Sequence, residues 1–87
     1  MTEAYPQITV FVRPWCGAAM RVKRWLDQRA ISYAEIDVTR DKDAARQVEE
    51  LNGGYQSVPT ILIDGKHVAT EPSTAELENL FGDILQE

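Results

Sequence analysis

Ile8-Thr9-Val10-Phe11-Val12-Arg13-Pro14-Trp15-Cys16-Gly17-Ala18-Ala19 puts a strand, a turn and the start of a helix into one short tract. Residues 8–12 are β-branched or aromatic, side chains that pack well on a pleated surface. Arg13-Pro14 ends that run, because proline has no N–H to give to a sheet. After Cys16-Gly17, apolar residues recur at Ala18, Ala19, Val22, Trp25, Leu26 and Ala30. Spacings of three and four place them on one face of a helix. Arg21, Lys23, Arg24 and Arg29 occupy the opposite face.

The rest of the chain repeats the alternation. Ser32 to Val38 reads as a second strand with Tyr33, Ile36 and Val38 as its apolar members. Thr39 or Asp41 caps a second helix running to about Leu51, with Ala44, Ala45, Val48 and Leu51 inward. Asn52-Gly53-Gly54 stops it, since Asn and Gly accept the left-handed conformation of a helix end. Val58 to Ile63 predicts a third strand, Asp64-Gly65 a hairpin turn, and His67-Val68-Ala69 a short fourth strand. Ser73-Thr74-Ala75-Glu76 has the form of a capping box. It opens a last helix whose apolar face is Leu77, Leu80, Phe81, Ile84 and Leu85. The order is βαβαββα, an α/β sandwich.

Eighty-seven residues suit one domain spanning 1–87. A net charge of −5 disfavours binding to nucleic acid or an anionic membrane, both of which reward positive charge. No apolar run approaches the roughly 20 residues of a membrane-spanning helix. Met1 to Pro6 shows neither a basic nor an apolar leader segment. With one cysteine, no internal disulfide forms, so a cytoplasmic location and a free thiol are expected.

Cys16 is where chemistry is expected. It sits between a strand end and a first helical turn, where unpaired N–H groups and the helix dipole favour a thiolate over a thiol. Five of the nine Lys and Arg lie between Arg13 and Arg29, with Asp27 the sole acid there. The thiol end is therefore locally positive. The competing reading is an inert, buried free cysteine. Pro59 also has two readings. A trans proline that simply starts a strand is the favoured one, since only roughly 5–6% of X–Pro bonds are cis; a cis Val58–Pro59 bond would turn the strand's first backbone groups outward for an extended peptide. His67 stands alone and reads as a surface strand residue, so no metal site is expected.

Trp15-Cys16-Gly17-Ala18-Ala19 after the first strand and Ser57-Val58-Pro59 before the third, in this element order, resemble the glutaredoxins. Asn52 to Thr60 and Glu71-Pro72-Ser73 are most similar to the mycoredoxin-type branch. The resemblance implies a thioredoxin-like three-layer sandwich with a four-stranded mixed sheet. It also implies a nucleophilic Cys16 and a cis Pro59. Val58 would offer its backbone to a bound thiol, and Arg13 would hold a terminal carboxylate. With Trp15, Gln56, Thr70 and Ser73 these make the expected thiol-ligand site, and Arg46 is a looser candidate.

Ala19 stands where dithiol members have a second cysteine. Thr70 and Ser73 lie in a stretch where glutathione-using members carry Gly-Gly and Asp. The implied activity is monothiol thiol-disulfide exchange by a monomer. It would reduce oxidised or S-thiolated client proteins with a low-molecular-weight thiol, glutathione or mycothiol, as co-substrate. Two alternatives are a [2Fe–2S] cluster carrier and a redox-inactive binding module. The cluster-carrying relatives show Cys-Gly-Phe-Ser, whereas this chain has Cys-Gly-Ala-Ala.

Overall fold

The computed structural model describes residues 6–85, with side chains as far as Gly82. Its elements are β1 (Ile8–Val12), α1 (Gly17–Gln28), β2 (Ala34–Asp37), α2 (Lys42–Leu51), β3 (Thr60–Ile63), β4 (Lys66–Thr70) and α3 (Thr74–Leu85). One four-stranded sheet has the order β2-β1-β3-β4. β1 runs parallel to β2 and antiparallel to β3, and β3 pairs antiparallel with β4. This is the expected mixed, thioredoxin-like sandwich.

The caps follow local chemistry. Asp41, not Thr39, opens α2: its carboxylate accepts the Ala44 N–H at 3.0 Å. Thr39 instead gives its N–H and hydroxyl to Asp37 at 2.8 and 2.6 Å, closing a turn at the end of β2. Ser73 and Glu76 exchange the two bonds of a capping box at 2.7 and 3.1 Å. Asp64 and Gly65 both take positive φ, 52° and 80°, as a two-residue hairpin turn with the right twist requires.

Strand alternation sorts the core into two layers. Ile8, Val10 and Val12 face α1 and α3, packing with Val22, Leu26, Leu77 and Phe81. Phe11 faces the other way, toward Val48 of α2 with Val58 and Leu62. The Trp25 and Phe81 rings meet at 5.8 Å, and the Arg29 guanidinium lies 4.0 Å above the Trp25 ring. Cys16 packs against both clusters, because it sits at the end of the sheet where the layers meet.

Four boundaries differ from expectation. β2 is shorter than Ser32–Val38, although Tyr33 and Val38 still pack inward. β3 begins at Thr60, because Pro59 has no N–H for the ladder. β4 is longer, reaching Thr70 through a register shift opposite Ile61 and Leu62. Ala30 leaves the helical face: α1 ends at Gln28, and Ala30 is exposed in a left-handed turn. The apolar face expected at Ile84 and Leu85 lies outside the described side chains, as does the leader reading of residues 1–5.

Candidate active site

Cys16 is the N-cap of α1, extended at φ −97° and ψ 113°. Its Sγ accepts the Ala19 N–H at 3.5 Å, the bond a serine or aspartate makes elsewhere. A helix thus offers the sulfur a donor and the positive end of its dipole. The thiol is half-buried, and its S–H faces the Val58 carbonyl at 3.9 Å. The two motifs, 42 residues apart, meet at this contact.

Trp15, one residue ahead, takes a left-handed φ of 65° and is 95% exposed. Left-handed backbone in a non-glycine residue costs about 1–2 kcal/mol. Trp15 therefore stands clear of the thiol rather than covering it. Pro14, Trp15, Ala19, Met20 and Lys23 line part of an open depression of about 360 Å³ beside it. Lys23 is held at 2.8 Å by Glu35, a partly exposed pair worth at most about 1 kcal/mol.

Arg13 reaches across the cleft and donates through Nη2 to the Gln56 carbonyl at 2.9 Å. That acceptor is neutral, so this bond does not neutralise the guanidinium. The hydrogen bonds from Thr39, with smaller contributions from Arg40 and then Arg13, hold the Asp37 carboxyl below the usual carboxylate range. The Gln56 side chain turns away from the cleft, donating to Glu49 of α2 at 2.6 Å. The Val58–Pro59 bond is cis and both residues are buried.

The remaining expected site residues are placed differently. The Thr70 hydroxyl donates to Asn52 Oδ1 at 2.6 Å and shares a 2.7 Å bond with His67 Nε2. Ser73 caps α3. Between them, the Glu71 N–H donates to the Pro59 carbonyl at 2.7 Å, and the Arg21 side chain of α1 donates to the Pro72 carbonyl at 3.0 Å. Arg46 lies on the exposed side of α2 with Asp43 at 3.7 Å.

Sequence reasoning missed Asn52, read only as a helix stop, and Thr60, read only as a strand residue. A threonine inside the otherwise apolar run from Val58 to Ile63 was the available signal, since a hydroxyl buried in a core strand needs a partner.

Among the described residues no three His, Cys, Asp or Glu side chains gather as a metal site. One chain offers a [2Fe–2S] cluster a single thiolate, so it does not fit such a cluster by itself. No helix of the described residues is long and apolar enough to cross a membrane.

The glutaredoxin family profile matches residues 8–68. The chain belongs to the glutaredoxin family. A glutaredoxin-named protein of Mycobacterium tuberculosis is 34% identical over 71 residues, 82% of this chain and 84% of the relative. The solved structure of a thioredoxin-like protein matches with a TM-score of 0.72 and 32% identity, covering 85% of this chain and 99% of that one. A buckwheat glutaredoxin solved in complex with glutathione matches at 0.72 and 26%, covering 93% and 74%. These glutaredoxin relatives make thiol oxidoreductase chemistry the frame for Cys16.

Proposed function

We propose that this glutaredoxin is a monothiol disulfide reductase acting on mixed disulfides between proteins and a low-molecular-weight thiol. The Cys16 thiolate attacks the small-thiol sulfur, and the new S–S bond forms as the client's S–S bond breaks. The client sulfur leaves as a thiolate and takes a proton from solvent. A second small thiol, deprotonated, then attacks the adduct, releasing the small-thiol disulfide and regenerating the Cys16 thiolate. The client is reduced, the one incoming small thiol is oxidised as it joins the small thiol taken from the client, and a single protein cysteine suffices.

The observation that carries this reading is the chain's one cysteine at the start of α1, opposite the Val58 carbonyl. Ala19 leaves no second sulfur for an internal disulfide. Arg13 is the candidate for binding the small thiol's carboxylate, and Val58 for pairing with its backbone. Glutathione and mycothiol are the small thiols to compare. A glutathione complex of a relative supports the first. We further place the protein in the cytoplasm as a monomer, where a free exchange thiol stays reduced.

The test is turnover of a peptide–glutathione and a peptide–mycothiol mixed disulfide by wild type and Cys16→Ser. Wild type should turn over one or both. Cys16→Ser should fall to the uncatalysed background, and retained turnover in it overturns the reading.

A further inference from the structure

The segment facing Cys16 is fastened at three of its four consecutive carbonyls, each by a different donor. Gln56 accepts from Arg13 at 2.9 Å, Ser57 from the Thr60 hydroxyl at 2.7 Å, and Pro59 from the Glu71 N–H at 2.7 Å. Val58, between them, has only the weak thiol donor at 3.9 Å. Its carbonyl is left facing the cleft because its neighbours are held.

We propose that Thr60 and Asn52 are positioning residues for the exchange reaction, aiming the Val58 peptide at Cys16 through the Ser57 carbonyl. The bonds run in one direction. Thr70 donates to Asn52 Oδ1 at 2.6 Å, Asn52 Nδ2 donates to Thr60 Oγ1 at 3.1 Å, and Thr60 donates to Ser57. The Thr60 hydroxyl accepts from Asn52 while donating to Ser57, so these bonds polarise one another. Asn52 Nδ2 also donates to the Val48 carbonyl at 2.9 Å, anchoring the relay to the end of α2.

Thr60 has no exposed surface, so water does not replace its bonds. Its neighbours in β3 are Ile61, Leu62 and Ile63, among which a valine would pack equally well. A hydroxyl there is costly unless it is bonded, and both of its bonds lead to the cleft loop or to the residue supporting it.

The inference rests on Cys16 being the exchanging thiol, and the test separates the two. Wild type, Thr60→Val, Thr60→Ser and Asn52→Asp are assayed on whichever of the peptide–glutathione and peptide–mycothiol mixed disulfides wild type turns over, with Cys16 alkylation by iodoacetamide as a substrate-independent readout. Asn52→Asp keeps the Oδ1 acceptor but loses the Nδ2 donor, and serves should Thr60→Val fail to fold. Thr60→Val and Asn52→Asp should raise KM about tenfold, the scale of one lost hydrogen bond. Their kcat and alkylation rate should stay within about twofold of wild type. Thr60→Ser should restore KM, which a purely packing role would not require. KM within about twofold of wild type in both donor-loss variants, or a KM for Thr60→Ser as high as for Thr60→Val, overturns the proposal. A wild type that turns over neither the glutathione nor the mycothiol mixed disulfide removes the exchange reading and this inference with it.

Discussion

On one side of the cleft, Cys16 rests against a packed layer of buried residues between the sheet, α1 and α3. On the other, the Gln56–Pro59 segment is held by donors placed on successive carbonyls. The first side gets its position from apolar packing, which is strong and tolerant of direction. The second needs direction, because a bound thiol must find a backbone edge, and hydrogen bonds supply it. Damage to the first side should therefore appear mainly as lost stability, and damage to the second mainly as weakened substrate binding.

The largest break in that contrast is Phe81→Ala. Phe81 is fully buried against the Trp25 ring, and removing such a side chain costs about 3–5 kcal/mol through lost burial and the cavity left behind. Urea denaturation should show this loss, while the folded fraction keeps the wild-type KM. A KM that rises in step with the stability loss would merge the two sides into one unit.

Arg13→Gln is the counterpart across the cleft. The guanidinium bonds a neutral carbonyl and leaves its charge available to a carboxylate. The variant should raise KM about threefold to tenfold, equivalent to about 0.7–1.4 kcal/mol, with little change in urea midpoint. The wild-type advantage should shrink as salt screens the charge. Loss that is independent of salt would mean Arg13 serves the loop alone.

The same division explains what could be read from the residues. β1 and α1, the capping box at Ser73 and Glu76, and the stop after Leu51 all follow from local periodicity and cap chemistry. Cys16 at a helix start was legible for the same reason. The loop side was not. Arg13 meets a carbonyl 43 residues away, and Thr70 meets Asn52 across 18. Local pattern shows that Thr60 can sit in a strand, but not that its hydroxyl turns back to Ser57. Local residues alone favoured a trans bond at Pro59, and only the glutaredoxin resemblance indicated the cis bond found there.

A smaller effect sharpens the packed side alone. Tyr33 packs against its buried layer and donates its hydroxyl to Asp27 Oδ1 at 3.1 Å. Burial first, then that hydrogen bond and the negative charges of Asp27 and Glu35, push the phenol up to about 12 from an ordinary value of 10.0. The folded protein thus favours the neutral phenol more than the unfolded chain does. The contribution is fully present below pH 10 and is lost as pH rises toward the folded value near 12. Urea midpoints of wild type and Tyr33→Phe, compared from pH 8 upward, isolate it from other groups that titrate in both proteins. The wild-type advantage should hold to about pH 10 and shrink above it. A difference that stays constant to pH 12 would mean the phenol feels neither burial nor the two carboxylates, leaving Tyr33 as packing surface only.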